Sequence, residues 1–203
     1  MLANNEPSSG EREQADRKGY LPRLSREHYL GRAFVHWTLT VDHRAQGWLT
    51  PRFRQQWDHV LLHTCARFDL AVPAYVLMPD HAHMLSVGLD DEADHRIGIE
   101  FLRRHLASAL EPAHWQKQAH DHVLRENERE KGALQTVAQY ILENPVRAGL
   151  ANEWKEYPYL GCCVPGYPNL SLASDGYWPL FWRIYNKRVT QSSARSRSPL
   201  PSL

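Results

Sequence analysis

Hydrophobic and polar positions first fall into a regular order at residues 33–41, AFVHWTLTV, where β-branched and aromatic side chains predict a strand. Successive strand side chains point to opposite faces. Val35, Trp37, Leu39 and Val41 therefore form the apolar side, and Phe34, His36, Thr38 and Thr40 the other. Thr50-Pro51 has the signature of a helix start, with Thr as cap and Pro at the first position. Phe53, Trp57, Val60, Leu61 and Cys65 then recur at helical spacing, which predicts a helix to about residue 68. Residues 69–73 read as a connection. Residues 75–78, YVLM, and 84–87, MLSV, predict two strands around turn material at Pro79-Asp80. Beyond an acidic loop at 90–94, Ile97, Phe101, Leu102, Leu106 and Leu110 mark an amphipathic helix that ends before Pro112. His122-Val123-Leu124 suits a short strand. Residues 127–144 predict a third helix, with Leu134, Val137, Ala138, Ile141 and Leu142 as its apolar stripe and Pro145 as its stop. Residues 157–170, rich in Tyr, Pro and Gly, read as irregular chain.

The resulting order is strand, helix, hairpin, helix, strand, helix. It predicts an α+β domain with an antiparallel sheet and helices packed mainly on one face. Residues 1–28 are polar and read as a flexible arm, 29–161 as the folded domain, 162–188 as an aromatic and basic segment, and 189–203 as a disordered tail.

Composition narrows the function. A chain of 203 residues holds one domain with a sizeable core. The net charge of +1 supplies no global basic field, so any nucleic-acid binding must come from local patches. Three cysteines (Cys65, Cys162 and Cys163), with no C-x-x-C pair, argue against a disulfide framework and against a cysteine zinc site. No long apolar run is present and the N-terminus has no signal-peptide pattern, so the expected compartment is the cytoplasm, with no membrane partner.

The candidate chemistry centres on His81-Ala82-His83. Residues i and i+2 of a strand share a face, so the two imidazoles form a ready pair of metal ligands. The plain alternative is two surface histidines among twelve. His114, His120 and His122 lack such clear spacing. Tyr140 and Asn144 lie four residues apart, stacked on one side of the third helix at the edge of its apolar stripe. In residues 175–188, Tyr177, Trp178, Phe181, Trp182 and Tyr185 interleave with Arg183, Lys187 and Arg188. That mixture suits stacking on bases with phosphate contacts. It equally suits a terminal segment docking its aromatics on the core.

At this point the sequence resembles a family. VLMPDHAHML, followed by Tyr140-Ile141-Leu142-Glu143-Asn144-Pro145-Val146-Arg147-Ala148-Gly149-Leu150, looks like the single-tyrosine HUH transposases, and most of all like the REP-associated tyrosine transposases. Asp121-His122-Val123-Leu124-Arg125 also resembles a stretch that those proteins carry before the tyrosine helix. The likeness spans about residues 33–161. It implies a ferredoxin-like (RRM-like) HUH fold and cleavage and joining of single-stranded DNA. It implies a divalent cation, Mg²⁺ or Mn²⁺, on His81, His83 and Asn144, and Tyr140 as the nucleophile that forms a 5′-phosphotyrosine. It also implies a partner, single-stranded DNA carrying a hairpin. Candidate contacts are Arg103, Arg104, Arg147, Trp182, Arg183, Lys187 and Arg188. The chemistry suits the residue types. A phenol, with a pKa near ~10, is a weak nucleophile at neutral pH unless helped, and a metal on the phosphate supplies that help. Two other readings stay open: a hairpin-binding protein without cleavage, and a phosphodiesterase that uses water. Monomer and homodimer are both compatible with the sequence. The modest net charge and the long polar arm depart from the family pattern.

Overall fold

A computed structural model describes residues 23–124 and 131–197. The arm up to residue 22, Arg125, the expected opening of the third helix at 127–130, and residues 198–203 lie outside the described residues. The elements are β1 (Phe34–Thr40), α1 (Pro51–Arg67), β2 (Leu70–Met78), β3 (His81–Gly88), α2 (His95–Leu110), β4 (His120–Val123), α3 (Lys131–Leu142), α4 (Asn144–Arg147), β5 (Leu160–Cys163) and α5 (Tyr177–Arg197). One sheet runs β4-β1-β3-β2-β5, antiparallel throughout. Its first four strands and first two helices form a β-α-β-β-α-β unit, the ferredoxin-like arrangement.

Alternation in β1 divides two cores. Val35, Trp37, Leu39 and Val41 face a first core with Phe53, Trp57, Leu61 and Cys65 of α1 and with Ile99, Leu102, Leu106 and Leu110 of α2. Phe34 faces a second core, where Leu85 and Val87 of β3 meet Leu134, Ala138 and Ile141 of α3 and Tyr177, Phe181 and Tyr185 of α5. The α+β class and the antiparallel sheet are as expected, and α1 and α2 share one face. The refinement is that α3 and α5 cover much of the other face, so the sheet is buried on both sides. The strands show this directly, since every residue of β2 is buried.

Local signals explain the helix ends. Thr50 Oγ1 accepts from the Phe53 N–H at 3.1 Å, and Pro51 opens α1. Asp94 Oδ1 accepts from the N–H groups of Arg96 and Ile97, both at 3.0 Å, and so caps α2. Gly149 follows α4 at φ +69°, and its N–H donates to the Val146 carbonyl at 3.0 Å. At Gly88 a Cβ would sit 1.9 Å from the Gly31 carbonyl oxygen, so only glycine allows the chain before β1 to lie against the end of β3.

Four sequence expectations need correction. Residues 69–73 are not a loop beyond Asp69. Strand β2 begins at Leu70, and its pairing with β3 shifts register between Ala71 and Ala74, where Pro73 cannot donate to a ladder. The Pro73 carbonyl instead accepts from the buried Tyr177 hydroxyl at 2.5 Å. The stretch read as irregular at 157–170 contains β5. Gly161 makes it possible, because a Cβ there would lie 2.7 Å from the Tyr75 hydroxyl. Finally, α5 runs to Arg197, so much of the supposed tail is helical. Ser192 donates to Asp90, and Arg32 Nη2 donates to Ser193 Oγ at 2.5 Å, which ties that helix to the loops beside β1 and β3. The polar arm likewise ends earlier than residue 28. Arg23 pairs with Asp121 at 2.9 Å and Tyr29 is fully buried.

Candidate active site

The β2–β3 hairpin places the histidine pair. Met78 pairs with His81 across the two-residue Pro79-Asp80 turn, and Ala82 points into the first core, which leaves His81 and His83 on the second face near the end of the strand. Their Nε2 atoms approach to 3.1 Å. The other nitrogen of each ring has its own partner. His81 Nδ1 lies 2.6 Å from Asp80 Oδ1. His83 Nδ1 lies 3.1 Å from Thr38 Oγ1 and 3.2 Å from His36 Nε2. Asp80 is itself gripped by Arg44 at 3.1 Å. His43 and Arg44 reach that position through left-handed backbone, φ +53° and +55°, which costs a non-glycine residue about 1 kcal/mol each.

These contacts orient both rings. An Nδ1–H of His81 donated to Asp80 leaves a lone pair on its Nε2, and an Nδ1–H of His83 donated to Thr38 does the same. Burial, with His36 and His81 next and the charges of Arg147 and Arg44 after them, pushes His83 down to about 3, so it is neutral at ordinary pH. Burial, then His122 and His120, pushes His36 down to about 4. For Asp80, burial acts upward, but the His81 hydrogen bond and then Arg44 outweigh it and hold the carboxylate below its ordinary value. With both Nδ1 atoms so engaged, the two Nε2 atoms face one another, an arrangement that a cation bound between them would suit. Two adjacent ligands of an octahedral ion at about 2.1 Å would lie about 3.0 Å apart, close to the separation of the two Nε2 atoms. The donor set therefore fits a divalent cation. Among the described residues no group of three or more His, Cys, Asp or Glu is arranged to hold a metal, so the pair would need oxygen ligands from elsewhere.

The third helix carries the expected tyrosine. Tyr140 is 57% exposed although it belongs to a helix whose Leu134, Ala138 and Ile141 are fully buried. Arg147 from α4 lies over its ring, 4.2 Å from the centroid, and Arg147 Nη2 donates to the Tyr140 carbonyl at 2.6 Å. The Arg147 charge is among the smaller influences that lower His83. Asn144 closes the turn between them. Its Nδ2 donates to the carbonyls of Tyr140 at 3.2 Å and Ile141 at 2.9 Å, leaving Oδ1 as its available ligand atom. Tyr140 also borders a cavity of about 550 Å³ that is lined by Gln135, Gln139, Glu143 and Trp178.

Among the expected DNA contacts, Arg147 belongs to this site, and Arg183 and Lys187 are exposed on α5, with Arg188 partly so. Trp182 does not fit the stacking role. It is 8% exposed and packs against Phe34 and Phe181 in the second core, so the C-terminal aromatics dock on the domain. Arg104 is exposed on α2, while Arg103 is partly buried and donates to the Gln116 carbonyl. Both sit on the helix that packs on the first face, away from the histidine pair. His36 and Thr38 were missed as site residues. The alternation of β1 put them on the right face, but only the β1–β3 register, Thr38 opposite His83, reveals the contact.

The comparisons bear on the fold and the overall sequence. A putative REP-associated tyrosine transposase of Haemophilus influenzae is 23% identical over 137 residues, covering 60% of this chain and 75% of that protein. A REP-associated tyrosine transposase solved bound to a REP hairpin superposes with a TM-score of 0.58 at 19% identity, covering 68% of this chain and 82% of that one. The chain resembles the REP-associated tyrosine transposases in sequence and in fold. No family model matches it. A bacterial tRNA(His) guanylyltransferase-like protein in complex with GTP reaches only a TM-score of 0.40 at 12% identity, covering 74% of this chain and 80% of that one, which is too distant to bear on chemistry.

Proposed function

We propose that this chain is a metal-dependent tyrosine transposase of the cytoplasm that cuts and rejoins single-stranded DNA beside a hairpin. The observation that carries the reading is the convergence of two imidazole Nε2 atoms at 3.1 Å, in a chain that also exposes a tyrosine covered by Arg147. A divalent cation, when bound, would neutralise charge on the scissile phosphate and help to orient it. His81 and His83 would hold it through Nε2, with Asp80 and Thr38 keeping both rings in the ligating tautomer and Asn144 Oδ1 as a further ligand. Tyr140 Oη attacks phosphorus while the bond to the 3′ oxygen breaks. The phenolic proton goes to solvent, and the departing oxygen gains one to become a 3′-OH. The product is a 5′-phosphotyrosine, and attack by a 3′-OH on that linkage reverses the step and rejoins the strand. The resemblance to proteins of this family, one of them bound to a REP hairpin, supports a hairpin as the DNA partner.

The test is covalent capture. Labelled single strands bearing the hairpins of repeats around the gene are incubated with protein and Mn²⁺ or Mg²⁺, then run on a denaturing gel. The expected result is a metal-dependent shifted band that disappears in Tyr140→Phe and in His81→Ala. Cleaved DNA with no shifted band, persisting in Tyr140→Phe, would replace the transposase by a hydrolase. Tight binding without cleavage under any metal would leave a hairpin-binding protein.

A further inference from the structure

On the first face, beyond edge strand β4, lies a second candidate binding site. A cleft of about 450 Å³ is lined by Arg23, Arg96, Arg103, Lys117, Ile99, Glu100 and Gln118. Four cations meet Glu100 in the lining and Asp121 behind Arg23, an excess of two positive charges in a chain whose total net charge is only +1. The charge of Arg23 is met by Asp121, whereas Arg96 and Arg103 are held by uncharged groups that leave theirs in place. Arg23 is clamped by Asp121 at 2.9 Å and by the Ala119 carbonyl at 2.6 Å. Arg96 lies over the Tyr29 ring at 5.7 Å. Arg103 donates through Nη2 to the Gln116 carbonyl, and its Nε is buried with no hydrogen-bond partner among the described residues. Burial and then the charge of Arg23 weigh against the Arg103 guanidinium, with only Glu100 acting the other way. A protein seldom leaves cations crowded in this way unless an anion joins them.

The surroundings identify the anion. Strand β4 is two strands from β3, about 10 Å across the sheet. Between the histidine pair and this edge, the second face carries His36 on β1 and then His122 and His120 on β4, with His122 opposite His36. A polar, hydrogen-bonding track therefore leads from the candidate active site to the edge beyond which the cationic cleft opens. A small metabolite would need no such track, whereas a nucleic-acid strand would. We infer that the cleft between α2 and the chain entering β4 binds a backbone phosphodiester of the DNA strand engaged at the histidine pair. This deepens the proposed function and rests on it for the identity of the strand.

The test uses hairpin-bearing single strands with 5′ and 3′ flanks and measures affinity by fluorescence anisotropy across a salt series. Lys117→Glu and Arg96→Gln, each checked for an unchanged thermal midpoint, are expected to weaken binding several-fold. They should also lower the salt slope by about 0.7 to 0.9 for each phosphate that is no longer neutralised. Unchanged affinity and slope in both variants would overturn the cleft assignment while leaving the transposase reading intact. If the wild-type protein binds none of the strands, the functional reading fails by itself. The cleft is then decided with inorganic phosphate as probe, by following arginine Nε–H resonances of the full chain. A selective shift of the Arg103 signal sustains an anion site, and its absence at tens of millimolar phosphate ends the proposal.

Discussion

Arg147 offers a sharp test of how Tyr140, the proposed nucleophile, is presented. Its guanidinium covers the Tyr140 ring at 4.2 Å and donates to the Tyr140 carbonyl at 2.6 Å. The tyrosine is otherwise 57% exposed, so without this cover its side chain would sample several rotamers. An exposed cation–π contact contributes about 0.5–1 kcal/mol, and a hydrogen bond of this kind about 0.5–1.5 kcal/mol. Lysine keeps the charge but cannot stack a planar group and cap the carbonyl together. Arg147→Lys should therefore lose about 1 kcal/mol of positioning, equivalent to a roughly five-fold slower attack by Tyr140. Arg147→Ala should lose somewhat more. The assay is single-turnover formation of the covalent adduct at saturating DNA, with binding measured separately. The positioning role predicts a slower rate with nearly unchanged affinity in Arg147→Lys. Rates within two-fold of wild type in both variants would refute it. A drop confined to affinity would do the same, since Arg147 would then be a phosphate contact.

Thr38→Val removes the oxygen beside His83 Nδ1 while keeping the shape of the side chain. Mn²⁺ affinity, read by electron paramagnetic resonance on the free protein, should fall by about ten-fold, the lower end for removal of a group that orients a ligand, because His36 still touches the ring. Equal affinity would mean that the hydroxyl does not set the tautomer. Trp182→Ala should cost about 3–5 kcal/mol in urea denaturation, as expected for a buried ring, yet leave DNA affinity per folded molecule unchanged. Weakened DNA binding in a stable Trp182→Phe protein would restore the stacking role that burial denies it. Asp94 makes stability depend on pH. Burial acts upward on its carboxyl, but the Arg26 hydrogen bond at 2.7 Å and the N–H of Ile97 prevail and hold it below its ordinary value. Its folded value is thus lower than its unfolded one, so its contribution is full above the ordinary carboxylate range near ~4 and is lost as pH falls through the folded value. Asp94→Asn should flatten the fall in urea midpoint between about pH 5 and pH 2, and a slope equal to wild type would refute the linkage.

How much of this was legible beforehand depends on where each signal lies. The histidine pair was visible because a strand period of two needs only three consecutive residues, and the site rests on a hairpin whose two halves are neighbours in sequence. Tyr140 and Asn144 were visible for the same local reason, four residues apart on one helix. Trp182 was ambiguous because an aromatic and basic helix reads alike whether its rings stack on bases or pack on a sheet. The answer lay in Phe34, 148 positions earlier, whose ring meets Trp182 at 6.4 Å. Pro73 hid most of β2 because proline argues against a central strand, and only the register shift beside it reconciles the two. Thr38, His36 and Arg44 were missed for a related reason. Each acts on the histidine pair across a strand junction or through a left-handed turn, and no local periodicity encodes either. The residues that could do chemistry were thus readable one element at a time. The residues that hold them in one tautomer and one rotamer come from other elements and emerge only with the pairing of β1 to β3 and of α4 to α3. Motifs alone therefore find the proposed ligands and the proposed nucleophile, whereas substitutions at Thr38 and Arg147 test whether they work as one site.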